Sequence, residues 1–435
     1  MKTLEDYLKM DAELYPNKVA VVCGNETCTY RQLWHRVSLR AKELHSKGMV
    51  VPFLASQTID FLVEYFAIHL AGLVAVPLEK VMDIPSCPLP SDAADVLFTT
   101  GTTGKSKGVI ISHTTIIANA ENLIEAQGYH HDLTFIINGP LNHIGSLSKI
   151  YPVILVGGTL YILEGMKDLN AFYEVMDMDK KYATFLVPAS IRMLLTFSAD
   201  RLANYADRLE FIETGAAPIS QADMQKLCEV LPKSRLYNTY ASTETGIIST
   251  YDFNHGECVA GCLGNPMKNS RFFIVNGRGE KERQAHAIGK VACMGKTLMS
   301  GYYGDELLTQ AILREGVLYT SDLAKIDDEG RLRLQGRDGD VINVGGYKVS
   351  PTEVEDAALS LVCIKDCVCI PVEHRVLGTI LKLLVVLHAG YSLDKRQLAL
   401  ALREKLEPYK VPMQYEQVDA IKRTFNGKID RKKYL

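Results

Sequence analysis

The sequence predicts an α/β protein with a large N-terminal domain of doubly wound sheets, a β-rich subdomain and a small C-terminal α+β domain. The first observation is that apolar runs alternate with helical patterns over residues 1–78, which favours a parallel sheet covered by helices. The second is that strand-like segments follow one another within residues 256–303. The third is the length of 435 residues, which suggests two or three domains.

The composition is that of an ordinary soluble globular protein, with 23% charged and 47% hydrophobic residues. A net charge of −3 gives no electrostatic reason to expect a nucleic-acid partner. Glu64 and His69 interrupt the longest apolar stretch, and residues 1–6 lack the apolar centre of a signal peptide. Several of the ten cysteines lie in apolar strands, as reduced core thiols do. We therefore expect no membrane span and a reducing, cytoplasmic compartment.

The N-terminal elements follow from hydrophobic periodicity and from glycine punctuation. Leu33, Val37, Ala41 and Leu44 recur at helical spacing. The sequence predicts helices at 3–15, 29–48 and 60–71, and strands at 19–23, 50–55 and 73–78. The Pro-rich segment 79–94 is predicted to be a loop.

A loop of Gly, Thr, Ser and Lys then joins two apolar strands, at 96–98 and 109–111. Such a loop leaves backbone N–H groups and hydroxyls free to converge on an anion, and its lysines add positive charge. The glycine spacing differs from that of the common P-loop. The sequence therefore predicts a polyphosphate-binding loop formed by Thr99, Thr100, Gly101, Thr102, Thr103, Gly104 and Lys107.

Two later strands end in residues suited to bind a nucleotide. The strand at 209–214 ends in Gly215, Ala216 and Ala217, whose small size lets a flat ring approach the backbone. In the segment 236–246, Tyr240 can stack on adenine and Asn238 can reach its exocyclic edge. Thr243 and Glu244 offer the hard oxygen ligands that Mg²⁺ prefers. Asp322 follows a short strand and can accept two ribose hydroxyls.

Together, in this order, these motifs resemble those of the adenylate-forming superfamily, which includes acyl-CoA synthetases, luciferases and the adenylation domains of peptide synthetases. The resemblance runs from about Thr29 to Arg431 and is closest in character to acid–CoA ligases. Three departures are visible: Ser106 replaces a usual Pro, Gly339 replaces an acidic or lysine hinge residue, and the segment before Leu97 is short.

The resemblance implies a large adenylation domain at 1–336, a hinge at 337–340 and a small mobile domain at 341–435. It implies that Lys428 and Lys107 act on the phosphates and that Arg337 lies beside the ribose. It implies an acyl pocket with no clear cation for a second carboxylate, lined by His143, Ser146, Ala216, Ala217, Gly246 and Ile247. It also implies a thiol channel formed by Gly345, Gly346, Tyr347 and Lys348.

The function expected from this resemblance is ATP- and Mg²⁺-dependent activation of a small carboxylic acid, followed by transfer to coenzyme A. A stand-alone adenylation enzyme that loads a carrier-protein thiol is the alternative, and we expect no fused carrier domain because Lys428 is close to Leu435. A non-catalytic nucleotide-binding relative is a second alternative, supported by Gly339 and by the short segment before Leu97.

Overall fold

The computed structural model describes residues 2–44, 49–100, 106–178, 180–284, 286–345, 347–375, 377–423 and 429–434. The helices in these ranges are α1 (Leu4–Leu14), α2 (Tyr30–Glu43), α3 (Ile59–Leu70), α4 (His113–Gln127), α5 (Ile144–Leu155), α6 (Leu169–Val175), α7 (Pro188–Phe197), α8 (Ala199–Ala203), α9 (Gln221–Val230), α10 (Glu306–Ile312), α11 (Pro351–Leu359) and α12 (Lys395–Arg403). The strands are β1 (Val19–Cys23), β2 (Glu26–Thr29), β3 (Val50–Leu54), β4 (Val74–Leu78), β5 (Ala93–Thr100), β6 (Ser106–Ser112), β7 (Leu133–Ile137), β8 (Thr159–Ile162), β9 (Lys181–Phe185), β10 (Leu209–Thr214), β11 (Arg235–Ser242), β12 (Gly246–Asp252), β13 (Cys262–Gly264), β14 (Ser270–Val275), β15 (Gly289–Gly295), β16 (Gly301–Tyr302), β17 (Leu313–Arg314), β18 (Val317–Ile326), β19 (Leu332–Arg337), β20 (Ile342–Val344), β21 (Tyr347–Val349), β22 (Ile364–His374), β23 (Gly378–Leu387) and β24 (Gln414–Gln417).

Two largely parallel sheets form the body of the large domain. The larger has eight strands in the order β12-β11-β10-β9-β7-β8-β1-β2, and only its two edge pairs are antiparallel. The smaller has the order β16-β6-β5-β4-β3 and is parallel from β3 to β5. Strands that are neighbours in a sheet are often distant in sequence and are connected through helices, which confirms the predicted α/β class.

An antiparallel sheet of six strands forms the β-rich subdomain, in the order β13-β19-β18-β15-β14 with β17 beside β18. The prediction that Gly301 and Tyr302 belong to this subdomain was wrong. They form β16, which pairs with β6 of the smaller parallel sheet. The reason is that β6 has an open edge, and the N–H groups of Ser300 and Tyr303 donate to Ile110 and Gly108 there, at 2.9 and 2.7 Å.

Helices α4 and α5, which border the candidate site, begin at identifiable caps. The Ser112 hydroxyl accepts the N–H of Thr115 at 3.1 Å at the start of α4. Gly128 ends α4 with a φ of +70°, a conformation that glycine adopts without strain. Helix α5 begins at Ile144, because His143 has the extended geometry of an N-cap.

The C-terminal region has a hydrophobic core of its own, built from α11, β22, β23 and α12. Its three-stranded sheet pairs β22 with β23 antiparallel and β23 with β24 parallel. Strand β19 ends at Arg337 and β20 begins at Ile342, so the predicted hinge at 337–340 comprises the last residue of β19 and the three residues that follow it. The division into domains stays a prediction. Among the described residues, no helix combines the length and apolar character needed to cross a bilayer.

Candidate nucleotide and acid site

The carboxyl end of β10 lies beside the middle of β11 in the larger sheet, with Thr214 opposite Asn238. Beyond β10, a Cβ at Gly215 would lie 3.0 Å from the carbonyl oxygen of Thr239, so only glycine fits there without a shift. Ala216 follows with a φ of +66°, a strained conformation for a residue with a side chain. The predicted residues after β10 therefore meet the segment 238–240 at one edge of the sheet, where open α/β sheets bind ligands.

Asp322 is the centre of a buried polar network at the predicted ribose position. The Tyr240 hydroxyl donates to Asp322 Oδ2 at 2.7 Å, and Arg337 Nε donates to Oδ1 at 2.7 Å. The β18–β19 register places Asp322 directly opposite Arg337. Burial and the Asp322 charge raise the pKa of Tyr240, so its hydroxyl keeps the proton that it donates. The structure thus brings three predicted nucleotide-binding residues together.

Lys107, Tyr302 and Glu244 form a second polar group, at the predicted phosphate end. Lys107 Nζ lies 5.4 Å from the centroid of the Tyr302 ring, a cation–π distance. The Tyr302 hydroxyl donates to Glu244 Oε1 at 2.9 Å, and burial and the Glu244 charge raise the pKa of Tyr302. Tyr302 was not among the residues predicted from the sequence, because its role depends on the pairing of β16 with β6.

The donor set around Glu244 fits a Mg²⁺ ion. Glu244 Oε1 accepts one hydrogen bond, whereas Oε2 has no hydrogen-bond partner among the described residues. Thr243, half-buried, precedes it in the turn between β11 and β12 and offers a hydroxyl. One carboxylate, a nearby hydroxyl and phosphate oxygens are the kind of set with which Mg²⁺ is held while it keeps several waters.

Asn238 is already hydrogen-bonded within the protein, since its side-chain Nδ2 donates to the carbonyl oxygen of Cys262 at 3.1 Å.

Gly246 has a φ of +64°, and a Cβ there would meet the Thr297 carbonyl oxygen at 2.3 Å. The Ile247 side chain is buried in the main hydrophobic core. Gly246 and Ile247 thus lack an exposed side chain with which to line an acyl pocket, and their predicted role there stays a prediction.

The predicted acyl side lies between α5 and the end of β9. His143 is the N-cap residue of α5, and Ser146 is buried in its first turn. The Phe185 ring lies between the two predicted walls: a Cβ at Gly145 would be 3.3 Å from it, and a Cβ at Gly215 would be 3.6 Å from it. Phe185 therefore lies at the predicted acyl side, where the sequence did not predict it.

A buried ion pair lies next to the Phe185 ring. Lys149 Nζ is 2.7 Å from Glu213 Oε1 and 5.1 Å from the Phe185 ring centroid, and the two charged side chains are 3% and 0% exposed. Burial lowers the pKa of Lys149 while Glu213 raises it, with a net decrease. The expectation that the predicted acyl pocket offers no clear cation for a second carboxylate stays a prediction, since Glu213 balances the charge of the buried Lys149. The sequence signal that could have revealed this ion pair is a lysine within the apolar helix α5.

Three of the predicted thiol-channel residues, Gly345, Tyr347 and Lys348, lie in the β20–β21 hairpin. Gly345 has a φ of +58°, and the exposed Tyr347 ring stacks on Tyr409 with centroids 4.4 Å apart. Arg431 binds Glu355 through two hydrogen bonds of 2.7 and 2.8 Å, which anchors the chain after residue 428. Six predicted residues lie outside the described residues: Gly101, Thr102, Thr103, Gly104, Gly346 and Lys428. The backbones of Thr100 and Lys348 are described, but their side chains are not.

Family profiles match most of the chain. The AMP-binding enzyme profile matches residues 8–83 and 79–303, and the AMP-binding enzyme C-terminal domain profile matches residues 353–428. The two pieces of the first match meet at the start of the short loop that precedes β5. The chain belongs to the AMP-binding enzyme family.

Three curated relatives are similar at 24–27% identity. A long-chain-fatty-acid–CoA ligase of Bacillus subtilis is 27% identical over 362 residues, covering 82% of this chain but 64% of the ligase. A feruloyl-CoA synthase of Amycolatopsis is 26% identical over 475 residues, covering 96% of this chain and 95% of the synthase. A linear gramicidin synthase chain of Brevibacillus parabrevis is 24% identical, covering 99% of this chain and 10% of the synthase.

Among solved structures, ATP-bound MatB from Rhodopseudomonas palustris superimposes with a TM-score of 0.87 at 21% identity. The superposition covers 98% of each chain. At this identity the likeness establishes the fold, a large N-terminal domain with a smaller C-terminal one.

Proposed function

We propose that this protein is an AMP-forming acid–CoA ligase, which activates a carboxylic acid with ATP and transfers the acyl group to coenzyme A. One observation carries the proposal: Lys107 and the Glu244 carboxylate are brought together through Tyr302, while Asp322 is held by Tyr240 and Arg337. One end of this arrangement suits phosphates and a metal ion, and the other suits a ribose. The feruloyl-CoA synthase, similar over nearly its full length, supports the choice of reaction.

In the first half-reaction, a carboxylate oxygen of the acid attacks the α-phosphorus of ATP, and pyrophosphate leaves. Oxide is a poor leaving group and AMP is a good one, so the acyl-adenylate is the activated form of the acid. Negative charge moves onto pyrophosphate, and Lys107 and Lys428 are the cations that offset it. Asp322 holds the ribose hydroxyls, and its contact with Arg337 keeps the carboxylate oriented.

Glu244, with Thr243 beside it, would hold Mg²⁺, which neutralises phosphate charge when it is bound. Lys107 lies over the ring of Tyr302, and the Tyr302 hydroxyl donates to Glu244. The protein thus supplies an anion, Glu244, for the metal ion and a cation, Lys107, for the phosphate.

In the second half-reaction, the sulfur of coenzyme A attacks the acyl carbon, the thiol proton is lost and AMP leaves. We infer that the small domain rotates about Gly339 between the two half-reactions. Glycine has no Cβ to restrict φ and ψ, which suits a hinge, and the space around Gly339 is open, since a Cβ there would meet nothing within 4 Å. Gly345, Gly346, Tyr347 and Lys348 then line the path of the thiol.

A carrier-protein thiol is the alternative acceptor, and the similarity to a gramicidin synthase favours keeping it. To identify the acceptor, the enzyme and its acyl-adenylate are given either free coenzyme A or a phosphopantetheinylated carrier protein. Formation of acyl-CoA at a rate at least equal to carrier loading supports the ligase, and loading of the carrier alone contradicts it.

The primary experiment is acid-dependent exchange of pyrophosphate into ATP, measured over a panel of aliphatic and aryl acids. We expect exchange that requires both Mg²⁺ and a particular acid. A protein that binds ATP but supports no exchange with any acid would be the non-catalytic relative.

The two half-reactions also test the division of labour in the small domain. We expect Lys428→Ala to abolish adenylate formation and to spare thioester formation from supplied acyl-adenylate, where no charge develops on pyrophosphate. Gly346→Trp should abolish thioester formation and spare adenylate formation, because the introduced side chain would obstruct the thiol. Equal impairment of both halves in both variants would contradict domain rotation.

A further inference from the structure

A cluster of metal-ligating side chains lies between α1, α3 and α4, away from the nucleotide site. It consists of Glu5, His69 and His113, whose potential ligand atoms all lie within 4.8 Å of one another. Glu5 Oε1 is 2.9 Å from His69 Nδ1, and these side chains are 4% and 0% exposed. The cluster adjoins Asp95, which is four residues along β5 from Thr99, or about 13 Å.

His69 is held in one orientation by a second buried carboxylate. Its Nε2 lies 2.9 Å from Asp95 Oδ1, and the Tyr65 hydroxyl donates to Asp95 Oδ2 at 3.0 Å. Asp95 thereby fixes Nε2 as a donor and directs Nδ1 towards Glu5. Proteins orient metal-binding histidines in this way, with a carboxylate accepting the hydrogen bond from the nitrogen that does not bind the metal.

The charge of the cluster is unbalanced without a metal ion. Both ring nitrogens of His69 lie at hydrogen-bond distance from carboxylate oxygens, so both must donate and the ring is an imidazolium. One positive charge then faces two negative charges, on Glu5 and Asp95, in a buried region. A buried net charge is costly. A divalent cation in place of the Nδ1 proton brings the sum to zero.

His113 supplies an independent observation. Its Nδ1 is buried and has no hydrogen-bond partner among the described residues, and its ring centroid is 5.1 Å from that of His69. An unpaired buried polar atom calls for an explanation, and coordination of a metal ion is one that the neighbouring atoms fit.

We propose that Glu5, His69 and His113 bind one divalent transition-metal ion, with Asp95 as the residue that positions His69. Two imidazoles and one carboxylate are ligands typical of Zn²⁺. The ion would fasten the N-terminal helix α1 to α3 and to the start of α4.

The test is the zinc content of the full-length protein after exposure to Zn²⁺ and exhaustive dialysis, without nucleotide. We expect one ion per chain in the wild type and none in His113→Ala or Glu5→Gln. Asp95→Asn should retain the site with about 10–100-fold weaker affinity. Glu244→Gln and His255→Ala are the matched controls and should keep the ion, since neither residue belongs to the cluster.

A cobalt spectrum and the melting temperature separate this site from capture by thiols. Cys228 and Cys258, whose sulfur atoms lie 3.9 Å apart, are the competing ligands. We expect Co²⁺ to give visible d–d absorption without a thiolate charge-transfer band, and Zn²⁺ to raise the melting temperature of wild type and Cys228→Ser but not of His113→Ala. Absence of zinc from the wild type, or equal zinc binding by His113→Ala, would overturn the proposal and leave a proton-bridged ionic cluster.

Discussion

The two ends of the candidate nucleotide site are built differently. At the ribose end, both oxygens of Asp322 accept hydrogen bonds from other elements, and Tyr240 and Asp322 are each under 10% exposed. At the phosphate end, Glu244 accepts a side-chain hydrogen bond from Tyr302 through one oxygen, and Lys107 lies over the face of that ring. The ribose end is complete within the protein, whereas the phosphate end leaves a carboxylate oxygen for a ligand.

This difference has a physical rationale. A ribose keeps its charge and shape through the reaction, so a rigid acceptor serves it at every step. The charge on the phosphates changes as pyrophosphate leaves. Side chains that still have an atom without a hydrogen-bond partner in the protein can bind more strongly to the new charge. We therefore expect changes at the phosphate end to act on kcat, and changes at the ribose end to act on the KM for ATP and on stability.

The largest effect is expected for Glu244→Ala. Removal of the carboxylate should lower the rate of pyrophosphate exchange by roughly 10²–10³-fold, the scale for loss of one group that stabilises transition-state charge. The melting temperature should change little, because the side chain is bonded to the protein through one of its oxygens. Glu210→Ala, which removes a carboxylate bonded to Arg235 on β11, is the control and should retain exchange. Near-normal exchange by Glu244→Ala would mean that the metal ion is held elsewhere.

Asp322→Asn should come next. The amide keeps the volume but loses a charged acceptor, worth about 1.5–3 kcal/mol, so the KM for ATP should rise about tenfold or more. The variant should also unfold more readily, because Arg337 loses its partner. Asp327→Asn, in the same subdomain but bonded to Arg331 and Arg333, should destabilise without changing the KM. If both variants raise the KM alike, the Asp322 effect is a general one on the subdomain.

A matched pair of hydroxyl deletions compares the two ends directly. Tyr240→Phe should lower the free energy of unfolding by about 0.5–1.5 kcal/mol, since it leaves a buried carboxylate oxygen with one fewer donor. Tyr302→Phe should lower kcat several-fold at unchanged KM, with a smaller effect on stability. Denaturant unfolding and steady-state kinetics on both variants test this prediction. A loss of kcat in Tyr240→Phe together with a loss of stability in Tyr302→Phe would contradict it.

Ser106→Pro is the smallest expected change. Ser106 begins β6, is exposed, and donates from Oγ to the Thr99 carbonyl oxygen at 3.2 Å. Proline would lose this long hydrogen bond but reduce the entropy of the unfolded chain, so we expect a neutral result or stabilisation of about 0.4–1 kcal/mol. Thermal unfolding without nucleotide measures it. A clear loss of stability would show that the backbone at Ser106 cannot accept proline.

Local signals were sufficient for much of the fold and part of the site. The α/β class and the strand end at Thr214 followed from periodicity, and the placement of Asp322 and Arg337 at one position followed from the family resemblance. Tyr302 and the Lys149–Glu213 pair did not, because each depends on contacts between segments 58 and 64 residues apart. A short strand such as β16 has no periodicity of its own, and its place is decided by which sheet edge is open.

Four residues along the chain lead from Tyr240 on β11 to Glu244 in the turn that follows. The Tyr240 hydroxyl binds the predicted ribose acceptor Asp322, and Glu244 is the predicted metal ligand at the phosphate end, so one short covalent segment carries both residues. Under the proposed function, the distance between these two residues corresponds to the sugar–phosphate span of the bound nucleotide. This distance is set by the backbone torsion angles of a segment that the β11–β12 pairing holds in place, so under the proposed function it would be kept when the small domain rotates.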